Sequence, residues 1–230
     1  MKAPKQALLL VGSPKPAEST SESLGAYLFD DLEKRGVKTQ TLHVTKAVRN
    51  DESVAELRAA VAAADLVVLS FPLYVDSLPA PAILALELIA EERAGAAAAR
   101  EPGAEAKAFV TICQSGFPEL DHNEVAVEIC RNFAQAAGFE WAGGLILPAG
   151  GMLGGQPLAK MKGMMRTAVK ALDLSAEALA AGRPVPDEAV RLMAKPPIPK
   201  FGYRFMANWG WRSQFKKRGE GESLKAAPFA

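Results

Sequence analysis

Five short apolar runs, each followed by a stretch with the spacing of a helix, set the pattern of the chain. The first run, 7–11, stops at Gly12; Leu24, Tyr27, Leu28 and Leu32 then recur on one helical face as far as Gly36. Residues 37–44 alternate weakly and predict a second strand, and 53–64 a helix with Val54, Leu57, Val61 and Ala64 inward. Asp65 to Phe71 is continuously apolar, the mark of a strand buried on both faces. The proline-rich stretch 72–81 predicts an ordered loop, with Pro81 suited to the first turn of the next helix, 82–93. That helix is apolar on most sides (Ile83, Leu84, Leu86, Leu88, Ile89), which predicts burial against a second subunit.

An Ala/Gly connector over 95–103 leads to a fourth strand, 106–113, ending in Gln114-Ser115-Gly116-Phe117-Pro118. Asp121-x-x-Glu124 reads as a capping box before a helix with Val125, Ile129, Cys130, Phe133 and Ala137 inward, stopped by Gly138. A fifth strand over 139–147 and a glycine-rich loop over 148–157 follow. Leu158, Met161, Met165, Val169 and Leu172 predict a fifth long helix, and 175–181 and 187–194 two short ones. Strands alternating with helices predict a doubly wound α/β domain with a mostly parallel sheet. Ligands of such sheets sit beyond the carboxyl ends of the strands. The loops of unusual composition are the ones placed there, after strands one, three and four, with the loop after strand five a further candidate.

The loop from Gly12 to Ser23 carries Ser13, Lys15, Ser19, Thr20, Ser21 and Ser23 ahead of a helix N-terminus. Backbone N–H groups and the positive end of the helix dipole converge at such a point, and hydroxyls and a lysine add donors for a phosphate monoester. Ser19-x-x-Glu22 also reads as a capping box, which any helix start can use. The loop is neither Gly-x-Gly-x-x-Gly nor a triphosphate-binding Gly-x-x-x-x-Gly-Lys-Ser/Thr.

Composition bounds the rest. A chain of 230 residues, 49% hydrophobic with net charge +1, suits one ordinary globular domain with an extension. No run approaches the ~20 apolar residues that span a bilayer, and residues 1–6 lack the apolar core of a signal peptide; a cytoplasmic protein is expected. Cys113 and Cys130 form no Cys-x-x-Cys, which predicts buried, reduced thiols, and with only His43 and His122 no metal site assembles by spacing. Residues 195–230 hold eight basic side chains against Glu220 and Glu222, so a basic end follows a mildly acidic body. Within that end Tyr203, Phe205, Trp209, Trp211 and Phe215 interleave with arginines and lysines. The pattern fits wrapping onto the acidic body or a neighbouring subunit better than a membrane interface, and no nucleic-acid partner is expected.

Gly12-Ser13-Pro14-Lys15 followed by Ser19, Ser21 and Leu24, together with Pro72-Leu73-Tyr74 and Ser77-Leu78-Pro79, resembles the NAD(P)H-dependent FMN reductases and multimeric flavodoxins over residues 7 to about 150. The resemblance implies a flavodoxin-like five-stranded parallel sheet of order 2-1-3-4-5 over 1–182, with 183–230 as a helical or irregular extension. It implies FMN and NAD(P)H as cofactors and a small-molecule electron acceptor such as a flavin or quinone, while the homo-oligomer expected through the 82–93 helix rests on that helix's apolar faces. Ser13, Lys15, Ser19, Thr20, Ser21 and Ser23 would take the FMN phosphate. Pro72, Leu73, Tyr74 and Val75 would line the isoalloxazine ring, Ser77 would bond its polar edge, and Gln114, Ser115 and Gly116 would flank it. No catalytic side chain is required, because the flavin carries the chemistry. Two alternatives share the same fold: a flavodoxin-like electron carrier, and a cofactor-free module acting through its basic aromatic tail.

Overall fold

In the computed structural model, which describes residues 1–15, 17–97, 106–161, 163–198, 202, 208–210 and 212–213, the apolar runs form a single parallel sheet. Strands β1 (Gln6–Val11), β2 (Lys38–His43), β3 (Leu66–Pro72), β4 (Ala108–Gln114) and β5 (Glu140–Leu147) lie in the order β2-β1-β3-β4-β5, as in flavodoxin-like sheets. The helices are α1 (Thr20–Lys34), α2 (Val44–Ala47), α3 (Asp51–Ala63), α4 (Ala80–Ala97), α5 (Asp121–Ala136), α6 (Arg166–Ala180) and α7 (Asp187–Met193).

Alternation along the strands divides the interior into two layers. Ala7, Leu9, Val11, Val68, Val110 and Ile112 share one core with Leu24 and Leu28 of α1 and Ala168 and Leu172 of α6. Leu8, Leu10, Val67, Leu69, Phe71 and Phe109 share the other with Leu57 of α3, Ala85 of α4 and Ala126 of α5. Each fully buried leucine or phenylalanine contributes about 1.5–3 kcal/mol by leaving water, so the central strands fix the register on both faces at once. Gly25 lets α1 come down on β1: a Cβ there would lie 2.6 Å from Leu9 Cδ1. The result is that the loop after β1 and the start of α1 stand directly beside the end of β3, where Gly12 N–H donates to Ser70 O at 2.7 Å.

Three local expectations change. The predicted long helix from Leu158 starts only at Arg166, because Leu158–Lys160 is a single 3-10 turn whose Leu158 N–H is held by Ser23 Oγ at 2.8 Å. The helix then runs unbroken to Ala180 rather than dividing near Asp173. Ser175 is tolerated inside it by donating its hydroxyl back to Ala171 O at 2.7 Å. At α5 the capping box does not form; Leu120 is the N-cap, with no side-chain cap bond, and Asp121 sits inside the first turn, where its charge favours the dipole.

The described chain divides into two units, Met1–Pro197 and Ile198–Ala230. Val185 N–H donates to Ala142 O at 2.8 Å, so the segment before α7 adds to the free edge of β5 within the first unit. Of the aromatic tail, Tyr203, Phe205, Trp211 and Phe215 lie outside the described residues, as does 98–103 of the connector. No helix among the described residues is long and apolar enough to cross a membrane.

Candidate functional site

The carboxyl ends of β1, β3 and β4 are neighbours in the sheet, and the loops that leave them build two adjoining features. The first is the turn from Gly12 into α1. Ser19 is the N-cap, extended at φ −91° and ψ 154°, and its Oγ accepts the Glu22 N–H at 3.0 Å. The second half of the capping box is not made; Glu22 Oε1 lies instead 3.4 Å from His43 Nε2 at the end of β2. The Ser19 cap is thus made without the Glu22 carboxylate, whose Oε1 turns toward His43. Ser70, the lone polar residue of β3, donates to Ser21 O at 2.7 Å and steadies the first turn of α1.

The hydroxyls of this loop differ in what they have left to give. Ser13 Oγ accepts the Lys15 N–H at 3.2 Å and Ser19 Oγ accepts that of Glu22, so each keeps its own proton to donate. Ser21 Oγ is buried and makes no hydrogen bond. Lys15 Nζ gives one of its three protons to Glu18 O at 2.9 Å. The first-turn N–H groups of Thr20 and Ser21 have no acceptor within the helix. Thr20, by contrast, donates to Gly150 O at 3.3 Å. Ser23 is saturated, donating to Gln156 O and accepting from Leu158 N–H, both at 2.8 Å. Thus Ser13, Lys15, Ser19 and Ser21 keep donors for an anion, while Thr20 and Ser23 fasten the segment after β5.

That segment covers the loop. Gly155, at φ +81°, lies so close that a Cβ on it would stand 1.7 Å from Glu18 O. Burying the Ser21 hydroxyl with nothing to bond costs about 1–3 kcal/mol, a deficit that an anion accepting its proton would remove. The donor set and the orphaned hydroxyl fit a phosphate monoester such as that of FMN.

The second feature is a cavity of about 280 Å³ between the loops after β3 and β4. Leu73 N–H donates to Gln114 O at 2.8 Å and ties the two strand ends together. Beyond it Tyr74 and Ser77 exchange main-chain bonds at 2.9 and 3.1 Å, closing a tight turn with Val75 at φ +49° and Asp76 at φ +58°. Left-handed residues at both centres are what this hairpin geometry needs, yet valine there costs about 1–2 kcal/mol. On the opposite lip Ser115, Gly116, Phe117, Glu119 and His122 line the cavity. Ala149 N–H donates to Phe117 O and Gly150 N–H to Ser115 O, both at 2.7 Å, so the cover segment also supports this lip. Asp76 Oδ1 meets His122 Nδ1 at 2.8 Å and joins the two sides.

Of the residues singled out for a ring, Leu73, Val75, Ser115 and Gly116 line the cavity. Pro72 and Gln114 are paired ends of β3 and β4 beside it, and the Gln114 side chain packs against Gly150. Tyr74, half exposed, and Ser77 shape the turn through their backbone. Sequence reasoning did not single out Asp76, Phe117, Ser70 or Gln156. Only Ser70 carried a local signal, as a hydroxyl in an apolar strand. Cys113 is buried in β4, its thiol accepting from Asn123 Nδ2 at 3.2 Å; burial pushes it up to about 12 and pushes Cys130 up as well, so both stay protonated thiols.

A family model described as NADPH-dependent FMN reductase matches residues 6–137, more than half of the chain. No curated protein matches the sequence. Among solved structures, the apo form of an NADH:FMN oxidoreductase superposes with a TM-score of 0.53 at 17% identity, over 86% of this chain and 98% of that one. The FMN-dependent NADH-azoreductase of Bacillus anthracis, solved in complex with FMN, gives 0.53 at 13% identity over 76% and 99%. A flavone reductase gives 0.55 at 12% identity over 76% of this chain, which spans 62% of its length. At these identities the likeness is one of fold.

Proposed function

The chain belongs to the NADPH-dependent FMN reductase family and is a flavin-dependent oxidoreductase with FMN and NADPH as its family cofactors; we propose that it oxidises NAD(P)H and passes the electrons to a flavin, quinone or similar small acceptor. The observation that carries the reading is the divided donor set of the 13–23 loop, in which, among the described side chains, Ser13, Lys15, Ser19 and Ser21 keep protons for an anion while Thr20 and Ser23 do not.

In this reading those four residues and the first-turn amides of α1 hold the FMN phosphate. Leu73 and Val75 wall the ring on one side, and the Ser115–Gly116 turn stands on the other. The cofactor supplies two-electron chemistry by accepting a hydride and giving it up to an acceptor. The protein has to hold, align and dry the reactants, which bring rings to about 3–3.5 Å. The exposed Val75 and Phe117 at the cavity mouth offer an apolar platform for a second planar molecule. Thr20 and Ser23 act at one remove, through the cover that they fasten. The location proposed for such a protein is the cytoplasm.

Titrating the purified protein with FMN, desalting it and following NADPH and NADH oxidation with free FMN or a benzoquinone tests the reading. Retained flavin absorbance with steady turnover is expected. Flavin uptake without turnover leaves an electron carrier, and no uptake leaves a cofactor-free module.

Self-association through α4 is part of the same proposal. Ile83 and Leu84 are exposed there, beside buried Ala82, Ala85 and Leu86. Joint replacement by glutamate is expected to halve the mass in light scattering without lowering flavin affinity; an unchanged mass removes α4 as the interface.

A further inference from the structure

We propose that His122 is a proton donor to the acceptor, and that Asp76 positions it; the inference deepens the oxidoreductase reading and rests on it. The two residues come from different elements, Asp76 from the turn after β3 and His122 from the first turn of α5. They meet at 2.8 Å, both on the wall of the cavity between the two loops. Nothing about the fold of α5 demands this contact, since its N-cap is Leu120 and His122 makes no cap bond.

The turn that presents Asp76 carries the strain. Val75 and Asp76 are both left-handed, and the Tyr74–Ser77 bridge holds them so. Backbone strain of this kind persists where the surroundings impose it and is concentrated at functional sites. Val75 is 98% exposed, so no burial of its own side chain compensates for it. What the turn accomplishes is to bring one carboxylate to the imidazole across the cavity.

The pairing has a chemical consequence. Asp76 Oδ1 accepts the Nδ1–H of His122, which leaves Nε2 as the nitrogen that exchanges a proton. A proton held at Nε2 is therefore the one that can be given away into the cavity. Glu119 is the other acidic group on the cavity wall, and Asp121 and Glu124 lie in the same first turn of α5. Leu73, Val75, Ser115, Gly116 and Phe117 complete the wall, and none of these residue types is an acid in the neutral range.

Two-electron reduction of a quinone needs that proton. The hydride equivalent taken from NAD(P)H turns the quinone into a hydroquinone monoanion. The Nε2–H bond of the His122 imidazolium then breaks as an O–H bond forms on the phenolate oxygen, giving hydroquinone. The neutral imidazole regains its proton from water, so the sum is NAD(P)H, one proton and quinone to NAD(P)⁺ and hydroquinone. Ferricyanide, which takes single electrons and no proton, makes no use of the donor.

The comparison of those two acceptors is the test, made on the FMN-loaded, full-length protein with NADPH as reductant. In His122→Ala and His122→Gln the ratio of quinone to ferricyanide turnover is expected to fall about 10²-fold, the lower end of what a positioned proton donor contributes. Asp76→Asn is expected to lower quinone kcat at least about tenfold with KM for the quinone unchanged, the mark of a residue acting through the imidazole. A ratio unchanged in both His122 variants, whether because both acceptors slow together or because neither does, overturns the proton donor. A rise in quinone KM with kcat intact in Asp76→Asn overturns its positioning role. Wild-type protein that binds no FMN, or oxidises no NADPH with ferricyanide, overturns the oxidoreductase reading and this one with it.

Discussion

Alanine at position 155 is expected to destabilise the protein by about 3 kcal/mol or more, lowering Tm by roughly 6–12 °C for a chain of this size. Two costs add. The backbone at Gly155 has φ +81°, which an L-residue adopts at about 1–2 kcal/mol. Its Cβ would also stand 1.7 Å from Glu18 O and 2.7 Å from Glu18 C, and main-chain atoms cannot swing aside as a side-chain tip does. Relief requires the cover segment to lift, which strands the Ser23 bonds to Gln156 O and Leu158 N–H and the Thr20 bond to Gly150 O. Each such bond is worth about 0.5–1.5 kcal/mol. Gly154 supplies the control: at φ +58° it is also left-handed, but a Cβ there meets nothing within 4 Å. Gly154→Ala should therefore show the conformational cost alone, about 1–2 kcal/mol. If the two variants melt together in thermal denaturation, the cover is not seated on the loop after β1 as described.

The same segment marks the boundary of what could be read from the chain alone. β1, β3 and β4 were legible because a strand buried on both faces is a predominantly apolar run, and Leu8 to Val11 or Leu66 to Leu69 have no other use. The Ser19 cap was legible because a cap is settled within three residues. Strand order was legible only through the likeness of two short motifs to a known family, since apolar runs say nothing of which neighbour each takes. Where the outcome depended on distant partners, local pattern misled. Leu158 and Met161 have helical spacing, yet a serine 135 residues away holds Leu158 N–H and the helix waits until Arg166. Thr20 and Ser23 look like Ser19 and Ser21 in sequence; only contacts 130 and 133 residues off show that they hold a cover and keep no proton to donate. His122 lay in a predicted helix start with no reason to meet Asp76, because the meeting needs a left-handed valine that no propensity favours.

FMN and riboflavin differ by one phosphate, and that difference isolates the cradle. Ser21→Ala removes the hydroxyl that is buried without a partner, and with a dianion present the lost bond is one to a charged group, worth about 1.5–3 kcal/mol. FMN affinity should fall roughly tenfold to a hundredfold, since 1.4 kcal/mol is one decade. Lys15→Ala should cost a similar amount at low salt and less as ionic strength rises, because its charge reaches the anion partly through solvent. Riboflavin, lacking the phosphate, should bind all three proteins alike. Ser23→Ala behaves differently: its hydroxyl has no proton left for the ligand, so it should lower Tm while leaving the ratio of FMN to riboflavin affinity near the wild-type value. Fluorescence titration of both flavins against the four proteins separates the outcomes. Equal weakening of FMN and riboflavin in Ser21→Ala and Lys15→Ala would place the phosphate elsewhere, and a changed ratio in Ser23→Ala would mean that the hydroxyl leaves Gln156 when the ligand enters.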